Sequence, residues 1–226
     1  MLKRLLDIFV SGIVLLVLLV PGIFVLLLLR LTGEGKVFYL QDRIGLGGKI
    51  FKVFKLATMR ADSATTGSKD ITVRNDPRVL PVGRVLRKTK LNELPQLYNV
   101  FRGDMSLVGW RPLVAKSFSY YPEHIQKNII DAKPGLTGMG SMFFRDEEGL
   151  LEKTDKELQQ FYIEDIAPYK GELELWYNKN RSFMMDLKII ACTAWVVVSP
   201  NSDALRQAFP EAPLPPEGGE IARLRA

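Results

Sequence analysis

The feature that most constrains this chain is an uninterrupted apolar stretch near its start. Twenty-two consecutive uncharged residues run from Ile8 to Leu29, between Asp7 and Arg30. At about 1.5 Å per helical residue the stretch reaches roughly 33 Å, which matches a bilayer core of about 30 Å. A secretory signal peptide is disfavoured, because its apolar region has only about 7–15 residues and ends at small residues. The stretch therefore predicts a membrane segment.

The segment could be a kinked span or a re-entrant segment, which enters and leaves the membrane on the same side. Two features favour the re-entrant segment. Pro21 lies within the stretch, where a proline removes a backbone donor and kinks or breaks a helix. Basic residues flank both ends, so the positive-inside rule assigns both flanks to the cytoplasm. The kinked span stays open because membrane helices tolerate proline. The flanking basic residues are Lys3, Arg4, Arg30, Lys36 and Arg43.

Composition bounds the rest of the chain. Its 226 residues suit one domain plus an appended segment, and 25% charged residues exclude a multi-span transporter. The chain has one cysteine, Cys192, which excludes an internal disulfide framework and zinc sites built on paired cysteines. It has one histidine, His124, which disfavours metal sites with several histidines and Ser-His catalysis. The formal net charge is +6, yet residues 42–90 alone hold 12 basic and four acidic residues. This concentration of charge favours an anionic partner, such as a membrane surface, a phosphorylated small molecule or nucleic acid.

Apolar spacing predicts the main elements beyond residue 36. Alternation in residues 36–45 and 49–58, around Leu46-Gly47-Gly48, predicts a short β-hairpin. Residues 82–98 have helical spacing interrupted at Pro95, and three further helices are predicted. The last of them is too short and polar for a span and is either an interfacial or a core helix, of which we favour the former. The further helices cover residues 147–161, 169–180 and 183–198.

The residues between 84 and 112 combine cations, carboxylates and glycines. Glu93 and Asp104 offer hard oxygen ligands, Arg111 offers a bidentate fork for phosphate, and glycines allow the backbone to approach a ligand. The set suits a phosphate-and-magnesium site, and it equally suits a salt-bridged structural turn. A helix-turn-helix DNA reader is disfavoured, because Pro95 lies inside the motif and a membrane segment precedes it.

Long motifs connect the chain to a known family. The central one is ELPQL-x-NV-xx-GDMSLVG-x-RP, and further matching stretches are VFYLQDRIGLGGKIFKVFKLATMR, KPGLTGMGSMFFRDEE and YNKNRSFMMDLKII. Together with the apolar N-terminus, they resemble the small bacterial sugar transferases, the monotopic phosphoglycosyl transferases. The resemblance covers most of the chain from about residue 37 to 190.

The resemblance implies a fold, a reaction and a location. The implied fold class is α+β: a mostly helical compact cytoplasmic domain with a short β-hairpin, plus one kinked re-entrant N-terminal membrane helix. The implied domains are an anchoring helix at 1–36, a catalytic domain at 37–199 and a Pro-rich tail at 200–226, which the composition predicts to be loose. The implied reaction transfers a sugar-1-phosphate from a UDP-sugar to undecaprenyl phosphate, releases UMP and initiates a surface glycan. It takes place at the cytoplasmic face of the bacterial inner membrane.

The implied chemistry uses Mg²⁺ and an Asp-Glu pair, in which the aspartate forms a covalent phosphosugar intermediate. The sequence has Asn92 at the nucleophile position and keeps Glu93, the residue associated with the metal. An uncharged amide is a very poor nucleophile. Three explanations stay open: Asn92 inactivates the protein, Glu93 or Asp104 serves as nucleophile, or a direct transfer runs without a covalent step. Further departures are Val20 before Pro21, Leu56-Ala57 after Lys55, and Trp110.

The site residues implied by the resemblance are few. Asn92 and Glu93 are the catalytic positions, and Glu93 is the metal ligand. The candidate phosphate-binding and substrate-binding residues are Lys55, Arg87, Lys88, Arg111 and Pro112.

The expected partners are a UDP-sugar, undecaprenyl phosphate and anionic membrane lipids, with no nucleic acid. The oligomeric state is open, with a homo-oligomer among the options. The alternative function is a catalytically inactive UDP-sugar-binding or lipid-binding membrane protein of the same fold. A membrane-tethered nucleic-acid binder is a weaker third alternative.

Overall fold

The computed structural model describes residues 1–32, 34–63, 76–198 and 202–225. Over these ranges the chain is an α+β protein that is 60% helical, which confirms the predicted fold class at this coarse level. The strands are β1 Phe38–Ile44, β2 Ile50–Leu56, β3 Ser106–Val108 and β4 Gly135–Thr137. The helices are α1 Leu2–Val17, α2 Leu19–Thr32, α3 Pro81–Lys88, α4 Gln96–Arg102, α5 Ala115–Phe118, α6 Glu123–Ile129, α7 Met139–Phe143, α8 Glu147–Lys153, α9 Leu158–Phe161, α10 Ala167–Asn180, α11 Phe183–Val198, α12 Ser202–Ala208 and α13 Glu220–Arg225.

The apolar N-terminal stretch forms two helices rather than one. The axes of α1 and α2 differ by 62°, and the break lies at Leu18. Pro21 accounts for the position of the break, because a proline ring clashes with the carbonyl four residues earlier, here that of Val17. The predicted kink is therefore confirmed. Among the described residues no single helix is long and apolar enough to cross a membrane, whereas this bent pair together has the required length and composition.

The bent pair packs on the rest of the protein along one side, and much of its other side is exposed. The N-terminal half of α1 packs against α4 and β3. The end of α2 buries Leu29 against Leu56 of β2 and Leu86 of α3. Near the bend, Leu16 is 75% exposed and Phe24 is 69% exposed. The bent pair thus combines packed apolar residues with large exposed ones, which suits either a broken span or a re-entrant segment, and its insertion into a membrane stays a prediction.

The predicted β-hairpin is confirmed. Strands β1 and β2 are antiparallel, with Phe38 opposite Leu56 and Ile44 opposite Ile50. The turn between them needs left-handed backbone at Gly47 and Gly48, whose φ angles are 64° and 75°. Glycine adopts this conformation without the steric penalty that other residues incur.

The second sheet is parallel and consists of β3 and β4. Ser106 pairs with Gly135, and Val108 pairs with Thr137. The connection out of β3 passes so close to its neighbour that a Cβ atom on Gly109 would lie 2.4 Å from the carbonyl oxygen of Lys133. Gly109, the second glycine of the GDMSLVG motif, is therefore required by packing.

Helix α10 lies in the core, and α11 is only half covered. Leu173 of α10 is fully buried, as is Ile189 of α11. On the other face of α11, Met184 and Trp195 are 70% and 59% exposed. Helix α11 is therefore a core helix on one side and presents an apolar face on the other.

Three sequence expectations need correction. The helix predicted at 82–98 divides into α3, the 3-10 turn Leu91–Glu93 and α4, because Lys90 has a left-handed backbone in addition to the break at Pro95. The helix predicted at 147–161 divides into α8 and α9. The prediction of a loose tail is wrong: Phe209 and Ile221 are 2% and 1% exposed in the core. Apolar residues between the prolines bury enough surface to hold the tail against the domain.

A test of the packing concerns Gly83 on α3. Its Cβ position lies 2.2 Å from the backbone oxygen of Thr58, so Gly83→Ala must displace α3. We expect a loss of about 1–3 kcal/mol in the free energy of unfolding, measured by denaturation of the detergent-purified protein. Gly22→Ala is the matched control, because nothing lies within 4 Å of its Cβ position, and it should be neutral or slightly stabilising. Equal stability of the two variants would contradict the close approach of α3.

Candidate active site

The short turn between α3 and α4 presents the two residues of the predicted catalytic pair. The 3-10 turn Leu91–Glu93 follows Lys90, whose φ is 60°, and α4 begins after Pro95. The two backbone constraints confine the turn to one conformation, because a left-handed residue and a proline both restrict the chain. Asn92 is buried in this conformation, and Glu93 faces the neighbouring strand β2.

Glu93 forms a bidentate ion pair with Arg111. The guanidinium donates from Nη2 to Oε1 at 2.7 Å and from Nη1 to Oε2 at 3.3 Å. Burial alone would raise the pKa of Glu93, but the charges of Arg111 and Lys55 and the hydrogen bonds from Arg111 outweigh it and hold the pKa well below its usual range. The carboxylate is consequently ionised throughout the physiological pH range.

Two further cations lie beside this pair. Lys55 of β2 and Arg43 of β1 line a pocket with Arg111 and Pro112. Burial, followed by the charge of Arg43, lowers the pKa of Lys55 to about 7. Burial and the charge of Arg111 lower the pKa of Arg43 to about 10. The lowered pKa values of Lys55 and Arg43 show that the cations repel one another here, and this excess of positive charge favours an anion beside them.

Arg43 is held in position by the chain around it. Its Nη1 donates to the carbonyl oxygen of Pro112 at 2.9 Å, and its Nε and Nη2 donate to Oε1 of Gln41. The backbone carbonyl of Leu113 accepts a hydrogen bond from the amide of Ile44 at 2.9 Å. The hairpin and the segment that carries Arg111 are thus linked directly, so their cations keep a constant spacing.

The backbone amide of Arg111 is hydrogen-bonded to a buried glutamate. Its amide donates to Oε1 of Glu174 at 3.1 Å, and Glu174 on α10 is completely buried. Burial raises the pKa of Glu174 to about 7. The sequence alone identified neither Glu174 nor Arg43, since both lie far from the central motif along the chain. Polar residues inside otherwise apolar helices and strands are the signal that could have indicated them.

The residues predicted from the sequence are brought together only in part. Lys55, Glu93, Arg111 and Pro112 meet at one pocket. Arg87 is near enough to influence the pKa of Lys55 and lies 3.9 Å from Glu148. The remaining predicted cation, Lys88, is exposed on the last turn of α3 and makes no hydrogen bond or ion pair with the described residues.

Asp104, considered as an alternative nucleophile, has a different environment. Its carboxylate is 3.1 Å from Nε of Arg102 and accepts a hydrogen bond from Asn99. Asn99 in turn bonds to both Lys52 and Phe54 of β2, so its role is to fix α4 on the hairpin. Arg111 forms its ion pair with Glu93, whereas Asp104 forms one with Arg102. The geometry thus leaves Glu93 as the carboxylate of the pocket.

The magnesium ion that the resemblance implies would find two oxygen-bearing side chains here, those of Asn92 and Glu93. Over the described ranges, no three Asp, Glu, His or Cys side chains form a site that could hold a metal. Glu93 supplies one carboxylate, and the buried Oδ1 of Asn92 has no hydrogen-bond partner in the described structure. Magnesium is commonly held by one or two carboxylates together with water and phosphate oxygens.

The chain matches known proteins over most of its length. The family model described as bacterial sugar transferase matches residues 1–200. The exopolysaccharide production protein PSS of Rhizobium leguminosarum bv. phaseoli is 38% identical over 196 residues, which cover 84% of this chain and 91% of that protein.

Two longer relatives have more specific names. The undecaprenyl-phosphate galactose phosphotransferase of Salmonella typhimurium is 33% identical over 87% of this chain. The UDP-glucose:undecaprenyl-phosphate glucose-1-phosphate transferase of Escherichia coli is 33% identical over 86% of it. This chain spans only 42% and 40% of the lengths of those two proteins.

The electrostatics of the pocket can be tested at Lys55. We expect Lys55 to titrate with a pKa of about 7, followed by its reactivity toward a small acylating reagent at each pH and mapped by mass spectrometry. Arg43→Gln should raise this pKa, because it removes a repelling charge, whereas Glu93→Gln should lower it, because it removes an attracting one. Shifts in the same direction in both variants would contradict this arrangement.

Proposed function

The chain belongs to the bacterial sugar transferase family, and on that basis we propose that it is a phosphoglycosyl transferase that moves a sugar-1-phosphate from a UDP-sugar to undecaprenyl phosphate. UMP is the second product, and the lipid-linked sugar phosphate is the first intermediate of a surface glycan. The reaction takes place at the cytoplasmic face of the bacterial inner membrane.

The observation that carries the proposal is the cationic pocket around Glu93. Arg43, Lys55 and Arg111 line it, and Glu93 forms an ion pair with Arg111. Burial and the repulsion between cations lower the pKa of Arg43 and that of Lys55. Both substrates are phosphorylated, so the pocket would neutralise the diphosphate of one and the phosphate of the other. Arg111 offers a planar fork for phosphate oxygens, while Glu93 holds that fork in place.

Asn92 bears on the route of transfer. Its amide cannot attack phosphorus, and Glu93 is engaged at both oxygens by Arg111. We therefore propose a direct displacement. An oxygen of the lipid phosphate bonds to the sugar-bearing phosphorus, and the bond from that phosphorus to the UMP oxygen breaks, with its electron pair leaving on UMP. In this scheme the cations lower the repulsion between the two phosphates, and no protein atom becomes covalently modified.

Mg²⁺ belongs to the proposal as a partner of the diphosphate. The unpartnered Oδ1 of Asn92 would be one ligand, and Glu93 would be another through the carboxylate lone pairs that its ion pair with Arg111 leaves free. When bound, the ion would offset charge on the phosphate oxygens of the transition state.

The membrane attachment rests on exposed apolar surface. Large apolar side chains are exposed around the bend between α1 and α2, while α1 packs against α4 and β3 and the end of α2 packs against β2 and α3. The open face of α11 adds Met184 and Trp195, and an aromatic of this kind is typical of the membrane interface. Anionic lipids would be attracted by the basic residues between 42 and 90.

The route of transfer can be tested by kinetics and by trapping. With UDP-sugar, undecaprenyl phosphate and Mg²⁺, we expect intersecting double-reciprocal plots for UMP release, because both substrates must be bound together. No radiolabelled sugar phosphate should remain on the denatured protein. In Asn92→Asp, which restores a carboxylate nucleophile, we expect a trapped acyl phosphate at residue 92.

The outcomes distinguish the alternatives. Parallel plots together with label trapped on Glu93 would replace direct displacement by a covalent route. UMP release only in Asn92→Asp would show that the chain with Asn92 is the inactive binding protein. Glu93→Gln should abolish turnover of both forms while UDP-sugar binding persists.

The topology of the anchor can be tested by cysteine labelling. In a Cys192→Ser background, Leu2→Cys and Glu34→Cys flank the bent pair, and Phe24→Cys lies at its exposed bend. A polar thiol reagent should label the two flanks from the cytoplasmic side only and should not label residue 24, because lipid shields it. Labelling of Leu2→Cys and Glu34→Cys from opposite sides would refute the re-entrant arrangement.

A further inference from the structure

The first two turns of α1 bind the backbone that leads to the active site. Asp7 is 3% exposed, and its Oδ1 accepts hydrogen bonds from the amide of Leu107 at 2.9 Å and from Oγ of Ser106 at 3.0 Å. Nζ of Lys3 donates to the carbonyl oxygen of Val108 at 2.9 Å. Two charged side chains of α1 thus hold all three residues of β3.

Side chains in the first turn of α1 also bind two other elements. The guanidinium of Arg4 donates to the carbonyl oxygens of Val100 and Phe101 at 2.6 and 2.7 Å, where α4 ends. Lys3 also forms an ion pair with Asp186 of α11 at 2.7 Å. Helix α1 therefore joins β3, α4 and α11, which are far apart in the sequence.

Strand β3 runs directly into the cationic pocket. Its last residue, Val108, is three positions before Arg111, and of the two residues between them Trp110 is 1% exposed. The indole of Trp110 donates to the carbonyl oxygen of Ala132 at 2.9 Å, so this connection has little freedom. A displacement of β3 would consequently move Arg111 relative to Glu93.

We propose that Asp7 is a positioning residue that couples the seating of α1 to the geometry of Arg111. A membrane anchor needs only apolar surface and flanking cations, and a buried carboxylate adds nothing to that task. Its cost of burial is offset because Asp7 satisfies a backbone amide and a hydroxyl of β3. Without Asp7, both donors lose their acceptor, and β3 and Arg111 shift. The effect on turnover rests on the proposed function, whereas the effect on β3 does not.

Trp110 supplies a readout that is independent of turnover. The chain has three tryptophans, so Trp176→Phe with Trp195→Phe leaves Trp110 as the single emitter. In this background, Asp7→Ala should shift the Trp110 emission to longer wavelength and increase its quenching by acrylamide by about twofold or more, because β3 is loosened. Asp7→Asn keeps one acceptor oxygen and should restore most of the native signal. Asp131→Ala, which removes an exposed carboxylate, is the matched control.

The turnover number should also fall when β3 is loosened, most in Asp7→Ala and less in Ser106→Ala. In Asp7→Ala we expect kcat to fall roughly 10- to 100-fold with a smaller change in KM for the UDP-sugar, since misplacement of a positioning group acts mainly on the transition state. Ser106→Ala removes one of the two donors and should give the same changes at lower amplitude, which covers the case that Asp7→Ala fails to fold. Recovery of each variant in the membrane fraction should equal that of the unsubstituted protein.

The proposal fails on clear outcomes. Unchanged Trp110 emission in both Asp7→Ala and Ser106→Ala would overturn it, whatever the activity. Emission changes of equal size in Asp131→Ala would overturn it as well. If the unsubstituted protein releases no UMP, the proposed function fails, and the Trp110 measurement still decides whether Asp7 holds β3.

Discussion

The ion pair between Glu93 and Arg111 is the interaction on which the pocket depends. It keeps a carboxylate ionised in a place where burial would otherwise favour its neutral form. The same carboxylate is the counter-charge that allows Lys55 and Arg43 to approach Arg111 at all. Without it the three cations would repel one another with no compensation, and the pocket would open. Its remaining excess of positive charge is what a phosphorylated ligand would neutralise.

The segment from Ser106 to Arg111 connects this pair to the rest of the protein. At its start, Ser106 and Leu107 donate hydrogen bonds to Asp7 of α1. At its end, Glu174 of the core helix α10 binds its last amide. Two buried carboxylates therefore hold one short stretch of backbone, and each makes a contact that an apolar side chain could not replace. The backbone that leads to Arg111 is therefore hydrogen-bonded to α1 at one end and to α10 at the other.

Several elements could be predicted from local sequence, and the failures have physical causes. Pro21 broke the apolar helix because the clash of a proline ring is local, and Gly47-Gly48 marked the hairpin because positive φ is a local requirement. The loose tail was wrong because burial of Phe209 depends on a surface formed by distant residues. Arg43 was missed as a pocket residue for the same reason: its partners become neighbours only when β1 pairs with β2.

Local sequence was enough to predict the break in the apolar stretch, the β-hairpin of β1 and β2, and the concentration of basic charge after the apolar stretch. These follow from composition, periodicity and backbone restrictions, which act over a few residues. Only the tertiary structure decided which charges face one another. It brought Arg111 onto Glu93, left Lys88 outside the pocket, and set Asp7 on β3. Electrostatic and hydrogen-bond energies depend on distances between atoms, and for residues far apart along the chain those distances exist only after folding.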